Sequence, residues 1–218
     1  MCGRFDNFLT PQQLAKAYQA DVAEIADWTP RYNIAPSQHP PLLFNDGIRQ
    51  FQFARFGMRP EWWEHRNDFI NIRAESVAQK PFFRKQAETN RCVLPVTGFY
   101  EWQNSGNAKI PYRITRADKT GALSLACLWG IDDIKGHNQL TFGIVTTSAN
   151  GVMGPIHNRM PVILSGDGLS TWLNPSAPET ELHRLLVPLS SDQLRTYRVS
   201  RDIGNPNVDH PRLIEPLN

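Results

Sequence analysis

The sequence predicts an α+β fold built on a curved, barrel-like antiparallel β-sheet with a few flanking helices. Short runs of β-type composition recur along the chain, and turn signals such as Asn45-Asp46-Gly47 separate them. Helical patterns are fewer and do not alternate strictly with the strands, as a parallel α/β fold would require. No repeat, low-complexity tract or linker divides the 218 residues, so a single domain over residues 1–218 is expected.

The first element is a helix predicted from Pro11 to about Ala20, because Thr10 can cap it and Pro11 suits a first helical turn. The stretch from Trp28 to Pro41 is rich in proline and is predicted to be irregular. The predicted strands are Pro41–Phe44, Gln50–Phe56, Cys92–Val96, Phe99–Gln103, Tyr112–Arg116, Leu123–Trp129, Leu140–Thr147 and Met160–Leu164. The later predicted helices are Glu75–Glu88 with a break at Pro81, Gly168–Leu173 and Glu179–Leu186.

The composition is that of an ordinary globular protein, with 40% hydrophobic and 20% charged residues. No run of about 18 apolar residues is present, so no membrane span is expected. The N-terminus has no basic segment followed by an apolar core, so no secretory signal is expected. The expected location is the cytoplasm with its nucleoid in a bacterium, or the nucleus in a eukaryote, and the chain is expected to be a monomer.

The charged residues and the cysteines limit the kinds of binding partner and ligand that are expected. The formal net charge is only +2, but 17 of the 23 cationic residues are arginine, whose planar fork suits phosphate and stacks on aromatic rings. Genomic base composition could produce the same ratio. The three cysteines do not have the spacing of a metal site, and neither metal nor cofactor is expected. Cys92 and Cys127 lie in apolar runs and are predicted to be buried thiols.

Cys2 directly follows the initiator methionine, and its small side chain permits methionine removal. The mature chain would then carry a thiol and an α-amine on one residue, both partly available near neutral pH. Such a pair can close a five-membered thiazolidine ring on an aldehyde, or attack an acyl carbon with the amine as base. Gly3 would let a substrate approach the backbone closely. A cysteine at this position by chance is the alternative.

Two segments place polar side chains among apolar neighbours. Asn71 can orient a sugar or a carbonyl and Arg73 can hold a phosphate, although Asn71 could equally cap a helix. Glu101 lies among three aromatic residues in Gly98–Trp102, and burial there would favour a protonated carboxyl group suited to acid–base catalysis. A solvated Glu101 on a strand with alternating faces is the other interpretation.

A third segment carries a histidine. His157 lies beside Arg159 in a loop bounded by glycine and proline, after the predicted strand that ends at Thr146-Thr147. Histidine can transfer protons near neutral pH, although a lone histidine is more often structural.

A fourth segment carries adjacent tryptophans. Trp62 and Trp63 lie near Arg55, Arg59 and Arg66, and this combination suits stacking on unpaired bases. A core corner followed by one surface tryptophan is the alternative.

Eight motifs stand in order between residue 2 and about residue 209. They are MCGRF at the start, RYNIAPSQ at Arg31–Gln38, FGMRPEWW at Phe56–Trp63, NIRAESVAQKPFFR at Asn71–Arg84, CVLPVTGFYEW at Cys92–Trp102, IVTTSAN at Ile144–Asn150, IHNRMPVIL at Ile156–Leu164 and VSRDIGNPNVD near the C-terminus. As a set they resemble the SOS-response-associated peptidase (SRAP) family of abasic-site processing proteins.

The resemblance implies the SRAP fold, with a positively charged groove for single-stranded DNA that contains abasic sites. It also implies that Met1 is lost, by self-cleavage or through an aminopeptidase, which is a hydrolase (protease) activity. Cys2 would then form a stable thiazolidine crosslink with the ring-opened aldehyde of the abasic site, with lyase-type chemistry. The crosslink would protect the lesion during the DNA damage response.

The resemblance also implies roles for particular residues. Asn71 would hold the abasic sugar, and Glu101 would shuttle protons during Schiff-base formation and ring closure. His157 would assist proton transfer, including in reversal of the crosslink. The residues implied to contact DNA are Arg4, Arg73 and Arg159 at phosphates, Trp62 and Trp63 at bases, Lys80 or Arg84 as a further basic contact, and Thr146.

Two other functions remain open from the sequence. One is an N-terminal-cysteine glutamine amidotransferase, whose glutaminase domains also begin Met-Cys-Gly and whose thiol attacks glutamine. The chain is short for such a domain with a synthase partner. The other is a non-catalytic single-stranded DNA-binding module, which would bind strands without regard to abasic lesions.

Overall fold

Successive side chains of a strand point to opposite faces, and in the computed structural model the strands pair into two sheets that share a core. The structure describes residues 2–60, 68–106 and 108–217. The smaller sheet contains, in spatial order, β14 (Leu194–Arg198), β9 (Ala108–Arg116), β8 (Gly98–Ser105), β1 (Phe5–Asn7) and β2 (Arg31–Ile34).

The larger sheet has a main path of six strands and three short additions. The main path is β12 (Arg159–Pro161), β11 (His137–Ser148), β10 (Leu123–Ile134), β7 (Arg91–Val96), β3 (Pro41–Asn45) and β4 (Arg49–Phe53). The additions are β13 (Ile163–Leu164) on β10, and β5 (Arg55–Phe56) and β6 (Asn71–Arg73) on β11. β5 and β6 pair with β11 in parallel, whereas the other described strand pairings are antiparallel.

The helices lie between the strands along the chain. They are α1 (Pro11–Tyr18), α2 (Ala74–Gln79), α3 (Pro81–Thr89), α4 (Gly168–Leu173) and α5 (Glu179–Leu185), with short 3₁₀ helices at Ala23–Ile25, Ser191–Gln193, Arg201–Gly204 and Pro211–Ile214. Within the described ranges, none of the helices is long and apolar enough to cross a membrane.

The α+β class is confirmed, but the expected barrel-like sheet is wrong. Within the described ranges, the smaller sheet ends at β14 and β2, and the main path of the larger sheet ends at β12 and β4, so neither path closes on itself. The reason lies between β7 and β8, which follow each other in the chain but belong to different sheets. The chain therefore crosses from one layer to the other instead of extending one curved sheet.

The predicted helices are confirmed with small shifts at their ends. In α1, the Thr10 hydroxyl accepts from the Gln13 backbone and the Gln13 side chain accepts from the Thr10 backbone, which completes a capping box. The predicted break at Pro81 separates α2 from α3.

Each predicted strand overlaps an observed one, although Gln50–Phe56 is divided into β4 and β5, and Met160–Leu164 into β12 and β13. The prediction that residues 28–41 are irregular is wrong, because β2 lies within them. β2 forms by pairing with β1, and β1 itself was not predicted.

Three groups of buried side chains stabilise this arrangement. The interlayer core lies between the sheets and includes Phe5, Phe99 and Phe142, all fully buried. A second core lies on the other face of the larger sheet, where the helices cover it. A third, smaller group packs the C-terminal segment on the outer face of the smaller sheet. The prediction that Cys92 and Cys127 are buried is confirmed, and they face each other across β7 and β10.

Candidate active site

The thiol of Cys2 lies in the interlayer core, where the residue is fully buried. Burial raises the pKa of the Cys2 thiol well above its usual range, and the negative charge of Glu101 raises it further. The thiol is therefore protonated near neutral pH. A base must take its proton before the sulfur can act as a nucleophile.

β8 carries Glu101 into the same interlayer space. Phe99 on this strand packs into the interlayer core, and Glu101, two residues later, points to the same side of the sheet. Glu101 is only 3% exposed, so the interpretation of a solvated carboxylate is wrong. Together with His157, Glu101 lines a cavity of about 440 Å³.

β6 brings Asn71 to this space from the larger sheet. Asn71 pairs with Ile144 of β11, so their side chains share a face, and Ile144 belongs to the interlayer core with Cys2. Nδ2 and Oδ1 of Asn71 are buried and have no hydrogen-bond partner among the described residues. Leaving a buried polar group unsatisfied costs about 1–3 kcal/mol. This amide is therefore placed to bind a ligand rather than to stabilise the fold.

The alternative interpretation of Asn71 as a helix cap is wrong. Asn71 lies in β6, and α2 begins only at Ala74, with Arg73 at the capping position and no side-chain cap. The parallel pairing with β11 fixes Asn71 in a strand, although its local sequence suits a helix start.

A loop between β11 and β12 holds His157 at the cavity wall. Nδ1 of His157 lies 3.0 Å from the backbone N–H of Arg159 and 3.2 Å from its carbonyl oxygen, so the Arg159 backbone holds the ring in place. Gln103 of β8 anchors the loop by donating from Nε2 to the Pro155 carbonyl at 2.9 Å. His157 can therefore exchange protons in the cavity that Glu101 also lines.

Arg159 is held by a carboxylate that the sequence analysis did not identify. Its Nη1 and Nη2 donate to Oε1 and Oε2 of Glu75 at 2.6 and 2.9 Å, and Nη2 also donates to the Thr146 carbonyl at 2.6 Å. This bidentate pair fixes the plane of the guanidinium beside β11. Arg73, which is exposed, pairs with Thr146 in the register of β6 and β11, so Arg73 and Arg159 flank the same strand.

Thr146 itself is fully buried, and its hydroxyl donates to the Ile72 carbonyl at 3.4 Å. The structure therefore places its side chain in the packing of β6 against β11, and its backbone carbonyl at Arg159.

Arg4, just after the proposed nucleophile, binds protein groups. Its Nη1 donates to Oδ1 of Asn33 and to the Ile203 carbonyl, both at 2.8 Å. Asn33 in turn donates from Nδ2 to the carbonyls of Asn205 and Val208, at 2.9 and 2.7 Å. These bonds tie the N-terminal strand to β2 and to the C-terminal segment. Asn33 is a positioning residue that sequence reasoning missed, although it lies in the RYNIAPSQ motif.

The remaining predicted DNA contacts lie elsewhere or are not described. Lys80 and Arg84 are exposed, and Arg84 lines a different cavity of about 240 Å³ beside the buried Trp172. The structure does not bring Arg84 to the cavity of Glu101. Trp62 and Trp63 lie outside the described residues.

The arginines that precede these tryptophans are engaged with the protein. Nη2 of Arg55 and Nη2 of Arg59 contact the two carboxylate oxygens of Asp68, at 2.7 and 2.5 Å. Arg55 is also 9% exposed, which is consistent with a structural role for this ion pair.

The cavity has a second polar wall that the sequence did not predict. Together with Glu101 and His157, it is lined by Lys109 and Asn104. Both flank the turn between β8 and β9, and in the sequence this segment carries only a turn signal.

Comparison with known proteins identifies the family. The family model described as SOS response associated peptidase (SRAP) matches residues 1–206. The chain belongs to the SRAP family. Among SRAP relatives, "Abasic site processing protein YoqW" of Bacillus subtilis (strain 168) is 35% identical over 225 residues, which cover 99% of each chain. "Abasic site processing protein YedK" of Escherichia coli (strain K12) is 27% identical over 224 residues and the full length of both chains.

The SRAP fold is also found among solved structures. A crystal structure of a protein from Bacteroides thetaiotaomicron covers 100% of both chains with a TM-score of 0.86 and 28% sequence identity. The arrangement of two open sheets and their helices is therefore shared with this solved structure.

Proposed function

We propose that this protein recognises abasic sites in single-stranded DNA and links itself covalently to them through Cys2, after removal of Met1. The names of its relatives describe abasic-site processing, and the chain matches them along their full length. The linkage would shield the lesion during the DNA damage response.

One observation carries this proposal. The two sheets contribute a buried thiol, a buried carboxyl group and an unsatisfied buried amide to the same interlayer space, at Cys2, Glu101 and Asn71. A protein core does not need this combination, because burying the carboxyl group and leaving the amide without a partner both cost free energy. A sugar with an aldehyde and hydroxyl groups would satisfy the amide and react with the cysteine.

The proposed chemistry is balanced without a redox partner. Before the reaction with DNA, hydrolysis of the Met1–Cys2 peptide bond consumes one water, releases methionine and leaves the Cys2 nitrogen as a free amine; the steps that follow are counted from this mature chain. This amine adds to the aldehyde carbon of the ring-opened abasic sugar, and the carbinolamine loses water to give a Schiff base. The sulfur then adds to the same carbon while its proton passes to the nitrogen, which closes the thiazolidine. The net reaction releases one water.

The raised pKa of the Cys2 thiol supports this order of steps. A protonated thiol is a poor nucleophile, so the amine attacks first and the sulfur reacts only after a base has taken its proton. Glu101 is the base whose charge acts on this sulfur, and His157 shares its cavity and can return a proton when the ring opens. Asn71 would bind the sugar hydroxyls through its amide.

The DNA backbone would cross the polar edge formed by β6, β11 and β12. Arg73 is exposed there, whereas Glu75 compensates the charge of Arg159, so Arg159 would contact a phosphate only by exchanging this partner. Arg4 would act mainly by fixing the strand that follows Cys2, because Nη1 of its guanidinium binds Asn33 and Ile203. The proposed contacts to the DNA that flanks the abasic site also include Trp62, Trp63, Lys80 and Arg84.

The test is to incubate the purified protein with a single-stranded oligonucleotide that carries one abasic site. We expect a band that resists SDS, and an intact mass equal to the protein without Met1 plus the oligonucleotide minus one water. Cys2→Ala should abolish this product. Cys127→Ala is the matched control, since it removes a thiol from the same core and should leave the crosslink intact.

Two further arms separate the alternatives. Reduction of the abasic aldehyde to an alcohol should prevent crosslinking, and glutamine should not be hydrolysed. A product with the reduced strand, or an undiminished thiazolidine with Cys2→Ala, would refute the proposal. Equal binding of damaged and undamaged strands without any covalent product would favour a plain binding module.

A further inference from the structure

A second polar cavity lies on the outer face of the smaller sheet. Ile114 of β9 packs into the interlayer core, whereas its neighbours Arg113 and Thr115 point to the opposite face. There they line a cavity of about 200 Å³. This cavity and the interlayer space that holds Cys2 therefore lie on opposite faces of one sheet.

The cavity is strongly cationic. Four of its lining residues are Arg113, Arg116, Lys119 and Arg195, and no carboxylate of the described residues lines it. Like charges at close range repel one another unless anions compensate them. The ion pairs of these four cations decide how much positive charge is available to a ligand.

Two of the cations are compensated by protein carboxylates. Nε and Nη2 of Arg113 donate to the two oxygens of the buried Asp6, at 2.8 Å each. Nε and Nη2 of Arg116 donate to the two oxygens of Asp118, at 2.9 and 2.5 Å. These pairs neutralise both guanidinium groups within the protein.

The other two cations, Arg195 and Lys119, have no carboxylate at ion-pair distance in the part of the chain that the structure describes. Arg195 is nevertheless oriented. Its Nε donates to the Thr115 hydroxyl at 3.0 Å, and its guanidinium lies 5.4 Å from the centroid of the Tyr197 ring. This contact fixes the plane of the guanidinium and leaves its two Nη groups for an anion.

We propose that this cavity is a phosphate-binding site. A phosphate group presents several acceptor oxygens and a full negative charge, which match the fork of Arg195 and the ammonium of Lys119. The cavity is smaller than the roughly 300–1,000 Å³ of pockets for drug-sized ligands, so its size suits one phosphate group. The phosphate belongs either to a DNA strand that continues beyond the cleft or to a free nucleotide.

The test compares two double variants that remove equal charge. Arg195→Gln with Lys119→Gln removes the two uncompensated cations, and Lys16→Gln with Lys135→Gln is the control at exposed positions away from this cavity. Inorganic phosphate and a nucleoside monophosphate are titrated against chloride at equal ionic strength, and backbone amide shifts are followed by NMR. We expect shifts in residues 113–121 that disappear in the first variant and persist in the control.

A second arm measures the affinity for undamaged strands of about 8 and about 30 nucleotides by fluorescence anisotropy at several salt concentrations. If the phosphate belongs to the continuing strand, the first variant should bind the longer strand about 3- to 10-fold more weakly. The slope against log salt should then fall by about 1–2, with little change for the shorter strand. Amide shifts without this loss would assign the site to a free nucleotide.

The absence of phosphate-specific shifts, or equal effects in both double variants, would overturn the proposal. Crosslinking of a short abasic strand should be unchanged in the first variant, because Cys2 lies on the other face of the sheet. A failure of the phosphate site is therefore distinguishable from a failure of the proposed crosslinking.

Discussion

The two faces of the smaller sheet bury polar groups in opposite ways. On the outer face, Asp6 is fully buried and accepts two hydrogen bonds from Arg113 and one from Thr97, while Arg113 also donates to the Tyr197 hydroxyl at 2.5 Å. The inner face borders the interlayer space, where the Asn71 amide of the larger sheet has no hydrogen-bond partner among the described residues. The first set is closed within the protein, and the second is open to a ligand.

This difference separates polar groups that support the fold from polar groups that support chemistry. Removing one partner of a buried charge pair is strongly destabilising, because the other charge is left buried and uncompensated. A buried amide without a partner already costs free energy, which a bound sugar would recover. Substitutions on the two faces should therefore affect stability and activity in opposite proportions.

The largest expected effect is on stability, from Asp6→Ala. This change leaves the Arg113 guanidinium buried without its carboxylate, and the free energy of unfolding should fall by about 3–5 kcal/mol. Denaturant unfolding followed by fluorescence measures it. Asp118→Ala is the control, because its pair with Arg116 is exposed and screened by solvent and should contribute far less to stability. Equal losses in both variants would contradict the comparison.

Asn71→Leu should show the opposite pattern. Replacing the unsatisfied amide with an apolar group of similar size should leave the free energy of unfolding unchanged, or raise it by up to about 1 kcal/mol. Crosslinking to abasic DNA should fall by at least about tenfold, since the loss of one or two hydrogen bonds in a buried site has that magnitude. A variant that is less stable but still crosslinks normally would show that Asn71 stabilises the fold and does not bind the substrate.

Glu101→Gln should lower the pKa of the Cys2 thiol, because the negative charge that helps to raise it is removed. The ultraviolet absorbance of the thiolate measures this titration, and the same variant with Cys2→Ala isolates the contribution of Cys2. In the native protein, the raised pKa favours the folded state below the ordinary value of 9.0, and this contribution is lost as the pH rises above it. An unchanged titration of the Cys2 thiol in Glu101→Gln would show that the Glu101 carboxylate does not influence the pKa of this thiol.

The smallest expected effect is on stability, from Glu75→Gln. Hydrogen bonds from Arg159 hold the pKa of Glu75 below its usual value of 4.5, so the pair stabilises the fold above that pH and ceases to do so as the pH falls. Because Glu75 is exposed, the loss at neutral pH should be below about 1 kcal/mol. Unfolding measured from pH 7 to pH 3 should show the difference from the native protein shrinking with acidification. A constant difference would point to packing instead of charge.

The sequence by itself determined the local features of this protein. The capping box of α1, the break at Pro81 and the burial of Cys92 and Cys127 follow from side chains within one turn or one strand. The candidate residues Cys2, Asn71, Glu101 and His157 were also found from chemistry and from family motifs. No single segment decides the roles of these four residues, which stay predictions.

Only the tertiary structure decided how these pieces meet. β2 exists because Ile34 pairs with Phe5, and β6 exists because Asn71 pairs with Ile144, far along the chain. The partner of Arg159 lies 84 positions away at Glu75. Pairing between distant strands leaves no periodic signal in the sequence of either strand, because the hydrogen bonds form only when both strands come together. For the same reason, the sequence alone did not show that the strands form two open sheets instead of a barrel-like sheet. It also did not show that the candidate site lies between these sheets.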